Sequence, residues 1–110
     1  MKLRIDPSKI CFRIDFDKLE LLLTQGRLQE TILLPETVIN YKIIVLPAGS
    51  QADFSQNGGN FTLSLARDVI ENHKKSLPSL AGIMTRFPIR NGEKITVSLE
   101  VNLKKKPKRG

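Results

Sequence analysis

From residue 94 to residue 103 the chain alternates without a break, Ile95, Val97, Leu99, Val101 and Leu103 interleaving with Thr96, Ser98, Glu100 and Asn102. A side-chain period of two makes one face of a strand apolar and the other polar, so such a segment must lay one side on a core. Arg90-Asn91-Gly92-Glu93 precedes it, and Asn-Gly is the pair best able to supply the two successive positive φ angles of a tight hairpin turn. Residues 83–90, with Ile83, Phe87 and Ile89 in one alternating set, are therefore expected to fold back on it. Pro88 has no amide donor, which places that partner at an edge or a bulge.

The same reasoning finds three more pairs. Asn57-Gly58-Gly59 separates a weak run at 51–56 from Phe61, Leu63 and Leu65, which alternate with Thr62 and Ser64. Residues 28–34 and 38–46 flank Pro35-Glu36-Thr37, and the β-branched Val38, Ile39, Ile43, Ile44 and Val45 favour strand over helix. Leu3 and Ile5, then Ile10, Phe12 and Ile14, flank the break at Asp6-Pro7. Two segments read as helix. In 16–25 the residues Phe16, Leu19, Leu22 and Leu23 share a face, Asp15 can cap the first turn, and Gly26 can end the helix in a left-handed conformation. In 66–76, Val69, Ile70 and His73 share a side, Glu71 stands four residues before Lys75, and Pro78 stops the run. The expected fold is α+β: a mainly antiparallel sheet or partly closed barrel of six to eight short strands with two short helices. No internal repeat is visible in the residue types.

With 110 residues, 40% of them hydrophobic, the chain can close one core, and a single domain is expected over 1–103. The lone Cys11 cannot form an internal disulfide, no Cys/His cluster has zinc-ligand spacing, and a reducing, cytoplasmic setting fits. Charge and Pro7 interrupt the N-terminal apolar residues before the run of about seven that a signal peptide needs. No run approaches the ~20 residues that span a bilayer, so no membrane association is expected. The net charge of +7 is concentrated at the C-terminus: Lys104, Lys105, Lys106, Lys108 and Arg109 supply five of the 18 basic residues, leaving 13 against 11 acidic ones over 1–103. The folded part then carries little net charge. Segment 104–110 reads as a disordered basic tail.

Met1-Lys2-Leu3-Arg4-Ile5, Ser8-Lys9-Ile10-Cys11-Phe12-Arg13 and Gly26-Arg27-Leu28-Gln29-Glu30-Thr31-Ile32, together with the order of elements, resemble a group of small uncharacterised bacterial proteins that open with a Met-Lys-Ile-Arg-Ile-like strand. The resemblance implies a central hairpin, a short helix and a terminal hairpin, and carries no activity, ligand or site residue. The chain departs from the group at its end, where an acidic, cysteine-containing segment is replaced by Lys104-Lys105-Lys106-Pro107-Lys108-Arg109-Gly110.

No catalytic, cofactor-binding or metal-ligating residue is assigned. His73 is the only histidine, so any Ser-His-Asp or Cys-His arrangement must use it, and no nucleophile-elbow context surrounds Cys11 or a serine. At the end of a helix, His73 is expected to be favoured in its protonated form. Lys9 and Arg13 beside Cys11 would lower its pKa on one face of a strand. Asp15 and Asp17 fit a helix start better than a divalent-ion site, which needs more oxygen ligands. Asn57-Gly58-Gly59-Asn60 lacks the Gly-Lys-Ser/Thr ending of a phosphate-binding loop and reads as a turn.

The expected function is a non-enzymatic binding or accessory module acting through protein–protein contact or self-association. A first alternative is weak nucleic-acid binding confined to the tail, through Lys104, Lys105, Lys106, Lys108 and Arg109. A second is an enzyme whose site is assembled from residues distant in sequence, among them His73, Asp68 or Cys11.

Overall fold

Local patterning is realised almost residue for residue in the computed structural model, which describes residues 1–78 and 82–103. A hairpin of β1 (Lys2–Asp6) and β2 (Lys9–Asp15) leads into α1 (Phe16–Gln25) and a second hairpin, β3 (Arg27–Leu33) and β4 (Val38–Leu46). The order then recurs: β5 (Asp53–Asn57), β6 (Asn60–Ala66), α2 (Arg67–Lys75), β7 (Ile83–Pro88) and β8 (Lys94–Asn102). Asp15 Oδ1 accepts from the Lys18 amide at 2.8 Å and Gly26 closes α1 at φ 84°. The β7–β8 loop holds Asn91 and Gly92 at φ 69° and 74°, but pairing ends at Pro88 opposite Lys94, so the strand expected to reach Arg90 is shorter and the loop longer. Within α2, Glu71 approaches Arg67 at 3.8 Å and not Lys75, while Val69 is exposed and Ile70 is buried.

Two four-stranded sheets result, ordered β1-β2-β8-β7 and β3-β4-β6-β5. Four of the six strand pairings are antiparallel, so the expected antiparallel character holds in part, but the single sheet or partly closed barrel gives way to two open mixed sheets. The outer pairs of each sheet are antiparallel hairpins, but the central pairs, β2 with β8 and β4 with β6, run parallel, and neither sheet closes on itself. Alternation specifies which face of a strand is buried. It is silent on the direction of a neighbour reached through a helix and a second hairpin. Pro88 does lie on an edge strand, β7, where its missing amide is harmless.

A repeat that the residue types do not show is present in the topology. Exchanging residues 2–46 with 53–102 maps each sheet onto the other: β1 and β2 on β5 and β6, α1 on α2, β3 and β4 on β7 and β8. Registers correspond, Lys2 opposite Arg13 matching Asp53 opposite Ser64, and Lys9 opposite Thr96 matching Asn60 opposite Asn40. Even a loop contact is duplicated: the Asn40 amide donates to the Gly59 carbonyl at 2.8 Å, and the Thr96 amide to the Ser8 carbonyl at 3.1 Å. Phe12 and Leu63, Ile14 and Leu65, Leu19 and Ile70, and Ile43 and Leu99 are equivalent, and all are buried. The halves share a pattern of burial and not residue identity.

The core lies between the inner faces of the sheets and under the two helices. Phe12 meets Tyr41 and Phe54 at ring-centroid distances of 6.5 and 6.4 Å, and Phe54 meets Phe87 at 6.1 Å, joining one sheet to the other. Across the seam of β1 and β3, the Tyr41 hydroxyl donates to the Met1 carbonyl at 2.7 Å and the Met1 ammonium pairs with Glu30 at 2.8 Å. Both helices leave the ends of strands β2 and β6, so they sit at one end of the molecule and the four hairpin turns at the other. Among the described residues no helix is long and apolar enough to cross a membrane.

Candidate functional site

Because Ile10, Phe12 and Ile14 point into the core, the intervening residues of β2 face outward. Register then sets Arg4, Cys11, Ser98 and Met84 in one row across the outer face of the β1-β2-β8-β7 sheet. Long charged side chains roof the small ones, leaving Cys11 7% exposed above a depression of about 190 Å³ lined by Arg4, Asp6, Lys9, Cys11, Arg13 and Glu100. Glu100 is the hub of the charges, accepting from Arg13 at 3.1 Å with Lys9 at 3.7 Å, while Arg4 pairs with Asp6 at 3.2 Å.

Burial raises the Cys11 thiol above its ordinary value, against a weaker opposing effect of the neighbouring Ser98 hydroxyl and of Lys9. This corrects the expectation of a lowered thiol pKa: the cations are spent on Glu100, and the desolvated thiol stays protonated. Burial also acts to raise Glu100, but hydrogen bonds from Arg13 and Cys11 and the charges of Lys9 and Arg13 prevail, and its carboxyl titrates below the usual range. The Ser98 side chain is fully buried beside Cys11, and its Oγ has no hydrogen-bond partner of ordinary geometry.

The three residues named for an enzyme divide between the sheet, which carries Cys11, and α2, which carries Asp68 and His73. Cys11 lies on this sheet face, Asp68 accepts the Gly49 amide at 3.0 Å, and His73 sits on α2 with its carbonyl accepting from the Ser76 hydroxyl at 2.8 Å. Partial burial disfavours the charged imidazolium and lowers the His73 pKa, the opposite direction from the expectation drawn from its place near a helix end. Asp15 is an N-cap, and Asn57-Gly58-Gly59-Asn60 is a two-residue hairpin turn with Gly58 at φ 59°. A Cβ on Gly59 would collide with the Val38 carbonyl oxygen, so the second glycine is needed for strand approach and not for a ligand. Among the described residues no group of three or more His, Cys, Asp or Glu side chains is placed to hold a metal. Lys104, Lys105, Lys106, Lys108 and Arg109 lie outside the described residues.

Residue patterns concealed what the hairpin end presents. Ile5, Leu33, Leu34, Val38 and Ile89 are all exposed, Leu33 to 78%, and all belong to the turns or the last strand pairs at that end. Charged residues of both signs lie in or beside the same turns, Asp6, Glu36 and Glu93 with Lys9, Arg90 and Lys94. Sequence alone reads these apolar residues as core, because alternation does not say where a strand outruns the partner sheet.

Residues 1–105 match a family model described as a family of unknown function, DUF7009. No curated protein and no solved structure matches the chain.

Proposed function

The chain belongs to the family of unknown function DUF7009, a membership that carries no activity with it, and from the geometry we propose a non-catalytic accessory module that works by self-association through its hairpin end. The carrying observation is the concentration of Ile5, Leu33, Leu34, Val38 and Ile89 at the end opposite the helices. Apolar surface of that kind is stabilised by being covered. A second copy suits it, because an isologous contact juxtaposes each residue with its own partner set, and an equal mixture of cations and carboxylates is self-complementary. The free, buried thiol of Cys11 accords with a cytoplasmic setting.

Light scattering during size-exclusion chromatography tests this reading. A mass rising with concentration toward twice 12.4 kDa, and returned to 12.4 kDa by Leu33→Asp, supports it; a mass fixed at 12.4 kDa at all concentrations overturns it.

One observation favours a second reading, contact with a nucleic acid. The outer face of the β1-β2-β8-β7 sheet carries Lys2, Arg4, Lys9, Arg13, Arg86 and Lys94 against Asp6, Asp15 and Glu100, and the basic C-terminal segment continues from its central strand β8. Salt-sensitive binding to a duplex that survives truncation after Leu103 would assign it to the sheet face, and binding lost on truncation would assign it to the segment. The absence of binding in both forms would end this reading.

A further inference from the structure

The two helices occupy equivalent places in the repeat, so their residues can be compared position by position. Phe16 corresponds to Arg67, Glu20 to Glu71, Leu23 to Lys74 and Thr24 to Lys75. Two contacts across the helix pair occupy equivalent positions. Arg67 Nη1 donates to the Leu23 carbonyl at 3.0 Å, and Lys74 Nζ stands 5.5 Å from the centre of the Phe16 ring. Between the helices lies an open groove of about 700 Å³, lined by Phe16, Leu23 and Thr24 of α1 and by Arg67, Glu71, Lys74 and Lys75 of α2.

The walls are opposite in chemistry at matched positions. One offers a ring, a branched aliphatic chain and a hydroxyl; the other offers three cations and one carboxylate. Packing α1 on α2 does not call for this division, since the buried Leu19, Leu22 and Ile70 already face the core from both helices. Nor are the cations fully neutralised. Glu71 takes Arg67 at 3.8 Å and Glu20 takes Lys74 at 3.5 Å, while Lys75 forms no ion pair with a described residue. Seats of a few hundred cubic ångströms with apolar lining and a few convergent polar groups are those of small molecules.

We propose that the groove between α1 and α2 binds a small amphipathic organic anion, its flat or short aliphatic body on Phe16 and Leu23 and its carboxylate or phosphate head at Lys74, Lys75 and Arg67. The Lys74 ammonium leaves the Phe16 ring to meet the head group, exchanging an exposed cation–π contact for a charge-assisted hydrogen bond. Thr24 at the exposed rim can donate to the same head. This site is at the opposite end from the hairpin turns and is independent of self-association.

Titration of the full chain with 2-naphthoate, 2-naphthyl phosphate, 2-naphthalenemethanol and inorganic phosphate, followed through backbone amide shifts, tests the proposal. The two naphthyl anions are expected to shift amides of residues 16–25 and 67–75 saturably, the tighter of them identifying the head group. The neutral alcohol and inorganic phosphate should leave those amides unmoved at the same concentration. Lys74→Ala combined with Lys75→Ala, both surface changes that leave the core intact, should weaken the anions about three- to tenfold. Equal binding by the alcohol, equal binding by inorganic phosphate, affinity unchanged in the double variant, or no shift in either helix would each overturn it.

Discussion

At the scale of single residues, the outer face of the β1-β2-β8-β7 sheet shows how neighbours reverse a sequence-based expectation. Lys9 and Arg13 flank Cys11 in the chain, yet both turn to Glu100, and the thiol is left desolvated with a raised pKa. Alkylation by iodoacetamide at pH 8 is accordingly expected to be much slower in the folded chain than in urea; equal rates would contradict the burial of Cys11. Glu100 titrates lower when folded than its ordinary value of 4.5. Its interactions therefore favour the folded state above that pH and are lost as acid carries the pH down through the folded value. In Glu100→Gln the fall of melting temperature below pH 4.5 should be shallower than in the parent chain, and coincident pH profiles would deny the carboxylate this role. His73 acts in the same direction: with its pKa lowered, protonation below about pH 6.5 favours unfolding.

Elements were the most legible level. The start and end of α1 follow from Asp15 and Gly26, and both residues act as their types suggest. Asp15→Ala should cost about 1 kcal/mol in denaturant unfolding through the lost cap, with Asp15→Ser recovering most of it. The β7–β8 turn is readable from Asn91-Gly92, although its length is not, because Ile89 and Glu93 add a backbone bond outside the Asn-Gly pair, with the Ile89 amide donating to the Glu93 carbonyl at 2.8 Å. What single segments cannot reveal is how they are joined. The Tyr41 hydroxyl reaching Met1 ties β4 to the start of β1, a link no periodicity carries. Tyr41→Phe should lower stability by about 1 kcal/mol while the far-ultraviolet spectrum stays the same; an unchanged unfolding midpoint would show the bond to be worth nothing.

For the molecule as a whole, the decisive feature was invisible in the residues. Phe12 and Leu63, or Tyr41 and Val97, are equivalent in the repeat while differing in size and shape, since a buried site asks for apolar volume and tolerates many ways of supplying it. The candidate surfaces escaped for a related reason: Leu33 and Ile89 follow the same alternation as core residues, and the opposed walls of the helix groove emerge only when equivalent positions of α1 and α2 are compared. The parallel pairs β2 with β8 and β4 with β6 join the first half of the chain to the second in both sheets. Neither half, cut off, keeps a sheet of more than two strands, and a lone hairpin is at best marginal in water. Severing the backbone between positions 47 and 52 should therefore yield two pieces that are insoluble when expressed apart and that reconstitute the native spectrum when expressed together. Each half is in effect the other's missing template.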